Sequence, residues 1–364
     1  MTAAVEHLEP VSGLEWTRLS GTREDVMRAL GALHAAPIRA WRERETGAWQ
    51  RLLERTAGAA KERFEAIVEA TTARLPLEAQ ELTWIAEGAG VPVRELWALN
   101  LRGDLGRDGT GCSDVCAVTE TGVVMGHNED GDGDLEGAIR LITLVIDGDP
   151  SMTVVWYPGM LPANSFVTTS AGLSFGMDHV PVSVPNTEGC GRHFVARRAQ
   201  RQEEGVVARA VLSAVPCAGG FAFDVADALG RGDLIENVAG RYSVASAVAA
   251  ASDAPAEGGA LLHTNHLRLV DGTEDGLAVA ADDEWLGESQ GRLRALVSAA
   301  PSVRSAADVL TALRAPGVLN RSEGIYTFAT CVVDTAADTI WVQGSGEVWA
   351  GWLSAFARGE RVAA

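Results

Sequence analysis

The chain has 364 residues, 47% of them hydrophobic and 22% charged, which suits one large folded domain or two smaller ones and gives no sign of disorder. Its net charge of −19 argues against nucleic acid or an anionic membrane as partner, because a phosphate surface calls for clustered Lys and Arg. No run of about 18 apolar residues is available to span a bilayer. Met1–Pro10 has none of the marks of a secretory signal, and five cysteines without framework spacing point to free thiols in a reducing, cytoplasmic setting.

From Thr22 to about Asn100 the apolar spacing is helical. Thr22 and Asp25 form a loose capping box ahead of Val26, Leu30 and Leu33. Trp49, Leu52, Leu53, Phe64, Ile67 and Val68 mark one face of a long helix that stops before Pro76. Further helices are predicted over Leu77–Glu87 and Pro92–Leu101. From Cys112 the texture turns to short strands: Val115–Val118, Gly122–Met125, Arg140–Ile146, Met152–Tyr157, Phe166–Thr169 and Leu173–Met177, separated by turn residues as in an antiparallel meander. Helical patterns return at Phe194–Ala218, Phe221–Leu229, Gly291–Ala299 and Ala306–Leu313, and strands Tyr326–Val333 and Thr339–Gln343 close the series. Ala247–Gly259 has no periodicity and reads as a loop. Strands grouped between helical blocks indicate an α+β layered domain and not a βαβ repeat.

The chemistry concentrates at Gly111-Cys112-Ser113-Asp114 and Gly126-His127-Asn128-Glu129-Asp130, a glycine-presented thiol at the start of one strand and a carboxylate at the end of the next. If the Gly111–Cys112 bond is cut, Cys112 carries its own α-amine beside its sulfur. An α-amine has a reference pKa of about 7.7–8.0, so it can accept the thiol proton near neutrality and return it to a leaving group. The thiolate is the reactive form. The same thiol can first attack the Gly111 carbonyl, giving a thioester that water opens, so the amine is self-generated. An oxyanion hole must come from elsewhere in the chain.

Trp84-Ile85-Ala86-Glu87-Gly88-Ala89-Gly90-Val91-Pro92, Leu99-Asn100-Leu101-Arg102, Gly111-Cys112-Ser113, Asn128-Glu129-Asp130 and His263-Thr264-Asn265-His266 occur in that order. As an ordered set, from about Thr22 to Gly344, they resemble the acyl-coenzyme A:6-aminopenicillanate acyltransferase family, peptidase family C45, of the N-terminal-nucleophile hydrolases. Gly111–Cys116 and Tyr157-Pro158-Gly159-Met160-Leu161-Pro162 are more similar to its β-alanyl amine hydrolases, which act on carcinine or N-β-alanyl dopamine, than to its penicillin acyltransferases. The resemblance implies an αββα sandwich with an N-terminal helical segment and self-cleavage before Cys112. Residues 1–111 would remain bound to a catalytic domain of residues 112–364.

It also implies Cys112 as nucleophile, Asp130 as a residue that orients it or assists processing, and Asn265 as oxyanion donor. Supporting places fall to Asn128, Glu129, Arg102 and Thr327. Asp104 stands where the family more often has glutamate, and Glu129 where many members carry an aromatic residue. The expected activity is hydrolysis of a small N-acyl or aminoacyl amide through a Cys112 thioester, with transfer of the acyl group to an amine as the alternative. An unprocessed, non-catalytic relative that binds a small molecule is a third reading. The expected partners are a small-molecule amide or acyl substrate and a second copy of the chain. No cofactor is implied.

Several patterns imitate other sites. Asp130-Gly131-Asp132-Gly133-Asp134 spaces its carboxylates like a calcium loop, but Leu135 and Leu141 stand where a glycine and a bidentate glutamate are required. Cys116 has no second cysteine pair to complete a zinc finger, and His263 and His266 lack the glutamate of a zinc-protease motif. The expectation is that one of these histidines fixes the loop that aims Asn265. Gly287-Glu288-Ser289-Gln290-Gly291 matches a serine nucleophile elbow by letter, but the acidic segment before it is no apolar strand, so it reads as a helix start.

Overall fold

Thr22 does cap the first helix, its hydroxyl accepting from the Asp25 amide at 3.3 Å. The structure, a computed structural model, describes residues 2–44, 47–106, 111–120, 122–248, 260–272, 276–322 and 324–364. Asp108–Thr110, next to the expected cut, and most of the predicted loop Ala247–Gly259 lie outside these residues.

The chain opens with strands β1 (Ala4–Val11) and β2 (Leu14–Gly21), then helices α1 (Arg23–Leu33), α2 (Ala35–Arg42), α3 (Ala48–Ala57), α4 (Lys61–Arg74), α5 (Pro76–Ala89) and α6 (Val93–Asn100). Strands β3 (Ser113–Val118), β4 (Val123–Gly131), β5 (Arg140–Ile146), β6 (Met152–Trp156), β7 (Val167–Thr169) and β8 (Leu173–His179) come next. Helices α7 (Arg192–Gln200) and α8 (Gly205–Ala214) precede β9 (Gly220–Asp227), β10 (Arg231–Val238), β11 (Arg241–Val248) and β12 (Ala260–His263). The chain ends with α9 (Glu284–Ala299), α10 (Ala306–Leu313), β13 (Tyr326–Asp334), β14 (Thr339–Gln343), β15 (Trp349–Trp352) and the short α11 (Leu353–Phe356).

These strands form two stacked sheets. One has the order β1-β2-β5-β6-β7-β8-β9-β10-β11, the other β12-β3-β4-β13-β14-β15. β3 and β4 contact β8, β9 and β10 across the middle layer, while α9 and α10 cover the outside of the smaller sheet and α1 and α8 the outside of the larger. The result is the expected αββα sandwich. Glycines make the close approach possible: a Cβ on Gly176 of β8 would lie 2.5 Å from Asp114 Oδ1, and one on Gly232 of β10 would lie 2.3 Å from Cys116 Sγ. A separate apolar cluster, including Val115, Val124, Leu262, Val309, Leu313 and Val332, glues the smaller sheet to α9 and α10.

Four sequence expectations give way. Phe221–Leu229 is not a helix but the central strand β9, buried on both faces, so its near-continuous apolar run has no alternation to read. The long helix through Trp49 and Val68 is α3 and α4, broken around Gly58, whereas the helical pattern at Phe194–Ala218 is carried by α7 and α8. The antiparallel meander is interrupted as well: β3 and β4 pair in the other sheet, and β2 joins β5 in parallel. Finally, the segment before Cys112 is not helical throughout, because β1 and β2 form one edge of the larger sheet. Exposed, charged and carrying Pro10, β1 has the composition of an edge strand.

Candidate active site

The hairpin that carries Cys112 is set by its turn. Thr119 N donates to Gly122 O at 2.7 Å, and the antiparallel register then pairs Asp114 with His127 and Ser113 with Asn128. Side chains alternate along both strands. Cys112 and Asp114 therefore share the middle-layer face with His127 and Glu129, while Asn128 is turned toward α10.

On that face the sulfur of Cys112, a ring nitrogen of His127 and a carboxylate oxygen of Glu129 lie within 4.8 Å of one another, all buried. His127 Nδ1 meets Asp114 Oδ1 at 2.7 Å, and Nε2 stands 3.5 Å from Glu129 Oε2. Tyr157 donates its hydroxyl to Glu129 Oε1 at 2.7 Å. Burial, joined by the Glu129 carboxylate, pushes the Cys112 thiol far above its usual range, with His127 pulling the other way. Burial disfavours a charged His127, but Asp114, with Cys112 and Glu129 beside it, outweighs that and the ring's pKa is raised well above the ordinary histidine value.

The backbone of Gly111 and Cys112 is held from the other side. Arg292 of α9 donates Nη1 to the Cys112 carbonyl and, at 2.9 Å, to Ser113 Oγ, and its Nη2 donates to Asn265 Oδ1 at 2.7 Å. Asn320 Nδ2 donates to Asp130 Oδ2 at 2.7 Å and lies 3.5 Å from the Gly111 carbonyl oxygen. Asp130 is raised to about 7, chiefly by burial, against the pull of Arg292, Thr327 and Asn320. Thr327 is opposite Asp130 in the β4–β13 register, just before a bulge.

Asn265 follows β12 on a loop tied down behind it. Glu236 of β10 accepts from the backbone amides of Arg268, Leu269 and Val270 at 2.6, 2.9 and 2.7 Å, and faces His263 Nε2 at 3.0 Å. His263 also meets Asp178 at 2.8 Å. Burial works against the charge on His263, yet Asp178 and Glu236 lift its pKa to about 9. His266 turns to Ser289 at 2.8 Å, so both histidines brace the loop.

The expected residues thus separate into groups. Gly111, Cys112 and Asp130 lie together around Asn320, Thr327 stands across from Asp130, Asn265 is joined to Cys112 through Arg292, and Glu129 joins from the middle layer. Arg102 stands farther off, 2.9 Å from Met160 Sδ and over the Tyr157 ring. Asn128 is not at the thiol: its amide donates to Leu313 O and accepts from Thr330 Oγ1, both at 2.8 Å, which ties β4 to α10 and β13. Asp104 accepts from the Gly219 amide at 3.0 Å and lies against Arg192. Asp114, His127, Arg292 and Asn320 belong to the site without having been singled out in the sequence. The turn-defined register could have found the first two; nothing local points to Arg292 or Asn320.

A family model for acyl-coenzyme A:6-aminopenicillanic acid acyl-transferase matches residues 118–344. The chain belongs to that family. Its members' chemistry makes this an amide hydrolase or acyltransferase of the N-terminal-nucleophile type. The match begins at Val118, just past Cys112. Among solved structures, a variant of conjugated bile acid hydrolase from Clostridium perfringens is 10% identical, covering 69% of this chain and 95% of its own, with a TM-score of 0.43. Penicillin V acylase from Agrobacterium tumefaciens is 13% identical, covering 67% and 86%, with a TM-score of 0.41. No curated protein matches the chain. Among the described residues no helix is long and apolar enough to cross a membrane.

Proposed function

We propose that this family member is a self-processing cysteine amidohydrolase. Cys112 attacks the Gly111 carbonyl, the resulting thioester is hydrolysed, and the freed α-amine then serves as base while Cys112 cleaves a small amide through a second thioester. The observation that carries the reading is the convergence on Gly111–Cys112 of a buried thiol, two amide side chains and a guanidinium. Asn320 and Arg292 are donors suited to the negative charge that develops on a carbonyl oxygen, and Asn265, whose Oδ1 accepts from Arg292 and whose Nδ2 donates to the His179 carbonyl at 2.9 Å, keeps a second amide N–H for the same task. Asp130, anchored by Asn320, stands where it can orient the new amine.

The acyl group is read as aminoacyl, of the β-alanyl type. Glu129 supports this: a buried carboxylate beside the sulfur is a counter-charge for an ammonium a few bonds from the scissile carbonyl. Transfer to an amine instead of water shares every step up to the thioester, and the family's name favours keeping it in view.

Intact mass of the purified protein tests the cut: fragments of 111 and 253 residues are expected, with Cys112→Ala giving one intact chain. A wild-type chain that stays whole would favour a non-catalytic binding role. Release of amine from β-alanyl amides, compared with plain N-acyl amides and with added acceptor amines, tests the substrate class and separates hydrolysis from transfer.

A further inference from the structure

The uncut chain poses a chemical problem. The α-amine that serves as base in turnover does not exist until the Gly111–Cys112 bond is broken, because until then that nitrogen is an amide. Yet the thiol is buried and its proton is held tightly. The first cut needs a different base.

We infer that His127, backed by Asp114, is the catalytic base for self-cleavage, a role used once in the life of each molecule. The inference rests on the reading of Cys112 as the self-processing nucleophile. Three observations carry it. Among the described residues His127 Nε2 has no close hydrogen-bond partner, and the ring lies in the buried group with the Cys112 sulfur. The opposite nitrogen is fixed at 2.7 Å by Asp114, so that once the ring is neutral Nδ1 carries the proton and Nε2 presents a lone pair. The larger sheet makes room for the pair with Gly176, where any side chain would collide with Asp114 and crowd the ring.

The step balances. The thiol proton passes to His127 Nε2 as sulfur bonds to the Gly111 carbonyl carbon, whose oxygen takes the charge near Asn320. Collapse of that intermediate breaks the bond from carbon to the Cys112 nitrogen, and the imidazolium returns its proton there, giving the free amine and the thioester. Water then opens the thioester, leaving a Gly111 carboxylate and restoring the Cys112 thiol.

The groups that act on the ring are Cys112, Asp114, Glu129 and Asp130 on its own sheet, with Cys331 on β13, and Asp178 and Asp224 from the facing sheet. With thiol and imidazolium both protonated the pair is inert, so the cutting rate rises with pH as the pair loses its first proton.

The test follows self-cleavage of the freshly purified full-length chain by intact mass, across about pH 5 to 10, with thermal melting as the fold check. His127→Gln should slow the cut by about 10²-fold or more and move the rising limb to higher pH, since only the thiol's own tightly held proton is then available. Asp114→Asn should move the limb the opposite way, because the ring loses the carboxylate that favours its charged form. Added imidazole should restore cutting to His127→Ala. A His127→Gln chain that cuts at the wild-type rate overturns the inference and leaves the self-processing reading standing, as does a shift of both limbs in one direction. A wild-type chain that never cuts overturns both. If His127→Gln does not fold, the Asp114→Asn limb decides.

Discussion

Two buried polar clusters in this molecule both hold several carboxylates and differ in how those carboxylates are partnered. Far from the thiol, Glu81 of α5 accepts from Arg197 of α7 at 2.7 and 3.0 Å and from Arg23 of α1 at 2.5 Å. Asp149 takes a second nitrogen of Arg23 at 2.6 Å and one of Arg201 at 3.2 Å, and Arg201 also bonds Glu78. Around Cys112, by contrast, Asp114, His127, Glu129 and Asp130 each keep one buried atom with no hydrogen-bond partner among the described residues. A buried charge is tolerated when its partners are in place, and an incomplete set costs stability that must be offset elsewhere. The saturated cluster joins the segment before Cys112 to the segment after it, and the unsaturated one surrounds the sulfur. Saturation, not burial or charge, separates the strut from the working site.

The largest effect that can break this comparison is expected in the strut. Arg197→Met removes one partner from a fully buried carboxylate and should cost about 3–5 kcal/mol in urea unfolding, while turnover per folded molecule is retained. The pH dependence has a defined sign. Burial opposes the charge on Glu81, but Arg197 and Arg23 outweigh it and hold the carboxyl below the usual carboxylate range. A group depressed on folding stabilises above its unfolded pKa, roughly 4.3, and loses that contribution as pH falls through the folded value. The gap between wild type and variant should therefore narrow on acidification. A constant gap would mean that Arg197 acts by packing alone. If the strut also keeps residues 1–111 bound after the cut, size-exclusion chromatography of processed protein should show one species, loosened in the variant.

Next in size is Asn265→Ala, which acts on the other side of the comparison. Removing an oxyanion donor should lower kcat by about 10²–10³-fold, or roughly 2.7–4 kcal/mol of transition-state stabilisation. The fold should survive, since the loop is anchored through Glu236, His263 and His266. Unchanged turnover would remove Asn265 from the site.

The two clusters were not equally legible in the sequence. Cys112 and Asp130 are legible as a thiol after glycine and a carboxylate closing a strand, a reading strengthened by the resemblance to the acyltransferase family, whereas Asn265 is carried by that resemblance. Asp114 and His127 were readable in principle: a hairpin turning between Thr119 and Gly122 places Asp114 across from His127, and period-two alternation puts both beside Cys112. Arg292 and Asn320 were not readable, because they reach Gly111 and Cys112 from about 180 and 209 positions away and lie in no local pattern. Glu81 was equally silent, one glutamate on a helix whose partners come from α1 and α7. For the fold, helix starts with explicit chemistry, Thr22 and Pro76, could be read closely. The strand β9 could not, since a strand covered on both faces has lost the alternation that marks strands.

The smallest expected effect is the sharpest test of the distinction. Glu129→Gln keeps the shape of the side chain and the hydroxyl contact from Tyr157 while removing charge from a group whose Oε2 has no close partner. Had Glu129 been part of a saturated strut, the change would cost several kcal/mol; in the unsaturated site stability should stay within about 0.5 kcal/mol of wild type. The thiol should respond instead. Glu129 is one of the groups pushing the Cys112 pKa up, so its neutralisation should make the sulfur more acidic and move the pH midpoint of iodoacetamide labelling downward. A large loss of stability with an unmoved labelling midpoint would place Glu129 among the struts and erase the line drawn between the two clusters.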